Sequence, residues 1–442
     1  MKSKIKVVDS VMGSGKSSSI IEYIKDNPQF MFVYVTPLLT EVERVVEGTS
    51  IHYCSNTGNK LQELKDHISK NKSVAITHKL FVGIDDEIRG MLESCNKPVH
   101  LIVDETPPCF ERIKISKQNI SILVEKEVVM IEPVGKYYRV HAIQPIKGLS
   151  QSDQYYNIIR DKEVYTTGDN ELLVSMFPAD IYSIVDSATV LTYNFKGTDM
   201  DAYFKFHKLE TESSSVKLID GRYQFIPVEY ATGESYRDKI RIVDNPKMNA
   251  IGKRRSKGTF PLSKNWYMSV SVHSYDLLRK NCVNFFKNIS KTSSKDNMYT
   301  TFKDGDSFSH VLGSDGTRVL EENFKGKVTK SKQWCSAISD YPYKDTKDNK
   351  CFVPFNTRGT NEYSNKKACA FLVDIHYDIS VVKFFKDYDI FLDSDKYALN
   401  TLIQWIWRSD IRNGGTIDLY IPSQRMRYLL MSWLGYAEDE IF

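Results

Sequence analysis

"VVDSVMGSGKSSSIIEYI", residues 7–24, joins a short apolar run to a glycine- and serine-rich turn, then a lysine, then a segment whose Ile20, Ile21 and Ile24 fall on one helical face. Strand, loop and helix in that order suit an anion, because small residues let backbone N–H groups wrap it at a helix N-terminus. The pattern G-x-x-x-x-G-K-[ST] adds a lysine for the β- and γ-phosphates and a hydroxyl for Mg2+. Gly15, Lys16 and Ser17 meet it, Gly13 lies within the loop, and Ser10 stands where the first glycine falls. The bland alternative is a glycine-rich turn with an exposed lysine. We expect a phosphate loop: Ser10, Met12, Gly13, Ser14, Gly15, Lys16, Ser17 and Ser18 against ATP, with Ser17 on Mg2+.

Downstream, "HLIVDET", residues 100–106, is an apolar strand ending in two carboxylates. ATP hydrolysis needs both: Asp104 to hold Mg2+, and Glu105 to orient and deprotonate the attacking water. Between loop and acids lie "VYVTPLL" (33–39) and "VAITHKLF" (74–81), which put Thr36, Pro37, Thr77 and His78 at strand exits. Ligands of open parallel sheets gather at that edge. "DSATVLTYNF" (186–195) sets Ser187 and Thr189 against a further strand. Near the C-terminus, "QWIWRSDIRNGG" (404–415) repeats Gln404, Arg408 and Arg412 every four residues. On one helix these share a face, as an arginine finger for a γ-phosphate would. The bland version is an amphipathic helix with a solvated basic face.

The 442 residues exceed one ordinary core, and the 12% aromatic content belongs to a globular chain. Short β-rich runs at 4–8, 30–36, 73–77, 100–104 and 188–193 alternate with helical stretches, the signature of a parallel α/β sheet. Further strands are expected at 222–228, 266–272, 351–355, 370–373 and 417–421, with helices at 397–411 and 424–434. Residues 291–350 read as loops or an insertion. Residues 246–350 carry 20 Lys and Arg against 10 Asp and Glu, a basic middle on an otherwise acidic chain. That suits a polyanionic partner. Seven scattered cysteines without a Cys-x-x-Cys read as reduced thiols. With no apolar run of membrane-spanning length and no signal peptide before the loop, the expected place is the cytoplasm.

On these motifs the chain resembles superfamily 2 helicase-type ATPases of the DEAD/DEAH-like kind. It is most similar to helicase-like proteins of bacteriophages and mobile elements, around "FNTRGTNEY" (355–363) and residues 404–427. The resemblance implies an α/β fold of two RecA-like P-loop NTPase domains, 1–210 and 211–442, the second with a basic insertion at about 291–350. It implies an ATP-dependent helicase or translocase that uses Mg2+ in a bacterial host cytoplasm, with DNA favoured over RNA and no membrane partner. It also implies roles: Thr36, Pro37, Thr77 and His78 on nucleic acid, Ser187 and Thr189 in coupling, Arg358, Thr360 and Asn361 in the second domain's nucleic-acid segment, and Gln404, Arg408 and Arg412 in the finger helix. Trp407 stands where the family pattern has glycine, and the second arginine falls one residue late, so the choice between Arg408 and Arg412 stays open. Two other readings are a packaging-type motor ATPase with a nuclease, and an ATP-gated binding protein that does not turn over.

Overall fold

The computed structural model describes residues 4–54, 58–113, 117–144, 150–167, 173–229, 232–254, 260–302, 310–312, 318–320, 350–357 and 362–441. It divides into two compact units, Met1–Tyr230 with Tyr377–Asp393, and Ala231–His376 with Ser394–Phe442.

The first unit is built on strands β1 (Ile5–Asp9), β2 (Met31–Thr36), β3 (His52–Tyr53), β4 (Val74–Thr77) and β5 (Val99–Asp104). β2 and β5 are buried along their whole length. Their unbroken apolar and β-branched runs are what a parallel sheet covered on both faces demands. Between β5 and the next sheet strand lies an excursion with β6 (Phe110–Arg112), β7 (Val129–Val134), β8 (Tyr137–Ala142), β9 (Glu163–Thr166) and β10 (Leu173–Met176). The chain then returns in β11 (Ser187–Thr192), β12 (Thr211–Ile219) and β13 (Arg222–Ile226). The large sheet has the order β13-β12-β1-β11-β5-β2-β4-β3, parallel except for the closing hairpin β12–β13. Because β12 pairs directly with β1, the first unit continues past residue 210 and takes in the hairpin.

The excursion forms its own antiparallel sheet, β6-β10-β9-β8-β7, with a small core of Ile120, Leu123, Val128, Val129, Val140, Ile159 and Val164. A helix from much later in the chain, Ile379–Lys386, belongs to this unit. Asp378 caps it by accepting from the Ser380 N–H at 2.9 Å. Phe384 is fully buried, its ring centroid 4.7 Å from that of Tyr137 and 5.5 Å from that of Phe206. The Tyr137 hydroxyl donates to Asp387 at 2.8 Å.

The second unit holds β14 (Ile240–Ile242), β15 (Asn297–Thr300), the pair β16 (His310–Leu312) and β17 (Arg318–Leu320), β18 (Ala368–Phe371) and β19 (Ile417–Tyr420). Its main sheet is all parallel in the order β14-β19-β18-β15. The expected fold class, α/β with two RecA-like domains, is what these sheets show. Gly252 packs so close to the segment after β19 that a Cβ would lie 1.9 Å from the Pro422 carbonyl oxygen.

Several local expectations change. Residues 264–269 are a helix, not a strand, because the Ser263 hydroxyl caps it from Trp266 N–H at 3.3 Å. Asn297–Thr300, inside the stretch read as loops, is a fully buried strand. Around residues 351–355 only an isolated bridge joins Phe352 to Tyr299. The helix expected at 397–411 is Ser394–Ile406, followed by a 3-10 turn at Asp410–Asn413. Most of the basic insertion, and Arg358, Thr360 and Asn361, lie outside the described residues. Among the described residues Cys54, Cys95, Cys109, Cys282, Cys351 and Cys369 are free thiols, and no helix is long and apolar enough to cross a membrane.

Membership of the late helix in the first core is testable. Phe384→Ala should destabilise the first unit by about 3–5 kcal/mol, the usual cost of emptying a buried phenylalanine site. Urea denaturation followed by circular dichroism reads this out. A change within the scatter of surface substitutions would contradict the packing.

Candidate nucleotide-binding site

The phosphate loop leaves β1 at Asp9 and enters the helix Lys16–Asp26 through Gly15. Gly13 and Gly15 adopt left-handed φ values of 80° and 90°, which side chains with a Cβ resist. A Cβ on Gly15 would also meet the Tyr223 ring at 2.2 Å, so the hairpin β12–β13 closes on the loop. Ser10 is buried, and its hydroxyl accepts from Val216 N–H of β12 at 2.8 Å. That bond explains a serine at the first loop position: it ties the loop to the neighbouring strand. Met12, Ser14 and Ser18 are partly exposed along the loop and first helical turn, and the buried Ser14 hydroxyl oxygen has no hydrogen-bond partner among the described residues.

The Lys16 ammonium donates to the loop's own carbonyls, Ser10 O at 2.5 Å and Val11 O at 3.0 Å. Burial pushes its pKa down to about 8, against the pull of Asp104, Glu105 and Asp9. Ser17 Oγ donates to Asp104 Oδ2 at 2.7 Å. The glycine-rich loop and the acidic end of β5, 87 residues apart in sequence, thus meet directly. The Tyr34 hydroxyl, from β2, donates to the same Oδ2 at 2.6 Å. Burial raises the Asp104 pKa, with the Tyr34 and Ser17 bonds opposing it. Glu105 follows with a left-handed φ of 58°, its N–H bonded to Leu191 O of β11 at 3.0 Å. This hydroxyl and carboxylate pair fits a hard cation that takes oxygen ligands.

Among the other expected residues, Thr36 and His78 are buried, while Pro37 and Thr77 are partly exposed. His78 Nε2 lies 3.0 Å from the Asp104 carbonyl oxygen, and Thr77 caps the following helix from Leu80 N–H at 3.3 Å. Ser187 and Thr189 are not brought to the loop. The parallel register pairs them with His100 and Ile102, and Thr189 Oγ1 lies 2.9 Å from His100 Nε2. The part of this segment that reaches the loop is its far end, where Thr192 O accepts from Ser10 N–H and Asp9 accepts from Asn194 and Phe195 N–H. Gln404, Arg408 and Arg412 belong to the second unit. They do not share a helix face, since the helix ends at Ile406; Arg408 is buried in the turn beyond it and Arg412 is exposed. Tyr34 and Asp9 were missed in the sequence. Their signal is that a tyrosine hydroxyl or a carboxylate inside an apolar strand must have a partner.

A P-loop helix beside a strand-terminal carboxylate, on the first of two parallel α/β sheets, defines a two-domain protein of the P-loop NTPase class. The chain belongs to the YonV family. It is 31% identical to the SPbeta prophage-derived uncharacterized protein YonV of Bacillus subtilis (strain 168), over 98% of each chain. Residues 234–434 match the YonV C-terminal Rossmann-like domain. Among solved structures, S. tokodaii Xpd4 aligns with 99% of this chain and 95% of its own at 12% identity and a TM-score of 0.45. A hypothetical ATP-dependent RNA helicase from Sulfolobus tokodaii aligns with 98% and 90% at 10% identity and a TM-score of 0.25. At these scores neither likeness carries weight, and the assignment of class rests on strand order and loop.

The partly buried lysine makes stability pH-dependent. A lysine whose folded pKa lies below its unfolded value costs stability below the folded pKa, and the cost fades as pH rises from about 8 through the unfolded value of 10.5. Lys16→Met should therefore stabilise the nucleotide-free protein at neutral pH, with the advantage gone in strong alkali. Urea midpoints at the two pH values check it; equal midpoints at neutral pH would contradict it.

Proposed function

We propose that this protein is an ATP-dependent nucleic-acid helicase or translocase of the superfamily 2 type. The observation that carries the reading is the 2.7 Å bond between Ser17 and Asp104, which joins the glycine-rich loop to an acidic strand end. ATP is the nucleotide assigned and Mg2+ the cation; Ser17 and Asp104 would hold it, and it would supply charge neutralisation at the phosphates. Lys16 exchanges its loop carbonyls for phosphate oxygens. Gly13, Gly15 and the helix N-terminus present N–H groups to the anion. Glu105 orients and accepts a proton from the attacking water. Arg408 or Arg412 supplies the finger that stabilises the transferring phosphoryl group.

The nucleic-acid partner is assigned from the basic middle and the resemblance, with DNA placed ahead of RNA and the bacterial cytoplasm as the setting. Thr36, Pro37, Thr77 and His78, with Arg358, Thr360 and Asn361, are its proposed contacts. Such backbone contacts make binding salt-sensitive and largely blind to sequence. The nuclease reading has less support. Among the described residues no group of three or more His, Cys, Asp or Glu side chains is placed to hold a metal ion. Asp374, a carboxylate in the C-terminal half that such a nuclease could draw on, pairs instead with Arg425 at 2.8 Å and Ser423 at 3.1 Å.

Phosphate release with single-stranded DNA, duplex DNA and RNA side by side tests the reading. Lys16→Ala should abolish turnover through lost nucleotide binding, whereas Glu105→Gln should bind ATP and hydrolyse it slowly. At least one of Arg408→Ala and Arg412→Ala should lose about 10³-fold in stimulated turnover with ATP affinity little changed. Wild-type protein without stimulated hydrolysis, or full activity in all four variants, would overturn the proposal.

A further inference from the structure

The nucleotide-site reading assigns no task to Tyr34, and this inference rests on that reading. Tyr34 lies in the middle of β2, fully buried, between Val33 and Val35, which are as buried as it is. Phe32, two positions earlier on the same face of the strand, shows that an aromatic ring without oxygen packs on that face. Packing therefore asks for the ring and not for the hydroxyl. A phenol removed from water needs a partner, and here it has one, the carboxylate at the end of β5.

Both donors to that carboxylate end on the same atom: Tyr34 at 2.6 Å and Ser17 at 2.7 Å from Oδ2. Neither bond reaches Oδ1. The two hydroxyls differ in what else they can do. Ser17 is itself an expected cation ligand and would leave Asp104 to face the ion. Tyr34, held inside the sheet, also interacts with Ser17, but its hydroxyl stays in the interior on Asp104 Oδ2 when Ser17 turns away.

We propose that Tyr34 is a positioning residue for the cation site: it holds Asp104 Oδ2 inside the protein so that Oδ1 stays presented to a hydrated divalent cation after Ser17 has left. The hydroxyl acts through Asp104 and touches neither nucleotide nor cation. Its removal therefore weakens the cation's contribution and spares the nucleotide's own contacts with the loop.

The test uses the full chain and the variant Tyr34→Phe, with fluorescent ADP as probe, titrated first in EDTA and then with increasing Mg2+. Affinity in EDTA should match wild type, while the Mg2+ concentration giving half-maximal enhancement should rise about 10- to 100-fold, the usual effect of losing an outer-shell partner. Tyr34→Met, which also lacks a donor but has a different shape, should show the same split. An unchanged Mg2+ requirement in both variants overturns the inference, as does an equal loss of affinity with and without Mg2+, which marks a purely structural tyrosine. Wild-type protein that binds no ADP in either condition overturns the nucleotide reading beneath it.

Discussion

The hydrogen bond from Ser17 to Asp104 closes a sequence gap of 87 residues, and the first unit is arranged so that it can form. It requires β1 and β5 to end at the same height, although β11 stands between them. The register supplies this: Asp9 pairs with Thr192 and Asp104 with Leu191, so three parallel strands finish within one residue of each other. At that shared edge Ser10, Glu105, Asn194 and Phe195 all donate backbone N–H groups to neighbouring strand ends or to Asp9. A one-residue slip in any pair would exchange the side chains between the sheet's two packed faces and part the loop from its acid.

The same edge concentrates charge out of water. Lys16 interacts with Asp9, Asp104 and Glu105 at the loop, and burial pushes the lysine's pKa down to about 8. Such a cluster is costly when empty and is relieved by an anion that satisfies the lysine and a cation that satisfies the carboxylates. On the proposed reading the ligand bearing both is a metal-bound polyphosphate, and the stability given up at the site goes toward its affinity.

Much of this was legible in the sequence because each part is local. The phosphate loop is fixed by spacing, and β2 and β5 by runs of buried apolar residues. What was hidden is what tertiary context decides. The excursion sheet escaped notice because β7 buries only Val129 outright and leaves most of its other residues exposed, so no apolar run marks it. Tyr34 reads as one more core aromatic until a carboxylate is found beside it. Ser187 and Thr189 carry the expected residue types, but their register sets them beside His100 and Ile102, several residues short of the loop. The four-residue repeat of Gln404, Arg408 and Arg412 promised one helical face, yet the helix stops at Ile406, before either arginine. The aromatic pair Trp266–Tyr267 looked like strand, while the Ser263 cap just before it starts a helix.

Hydrogen exchange at the loop amides tests the central claim most directly, because it reads the cradle itself and needs no knowledge of the nucleic-acid partner. With Mg2+ and a non-hydrolysable ATP analogue, the peptide covering residues 10–18 should exchange more slowly, as its N–H groups take phosphate oxygens as acceptors, and the peptide covering Asp104 and Glu105 should follow. Exchange in both peptides unchanged by the nucleotide would contradict the account.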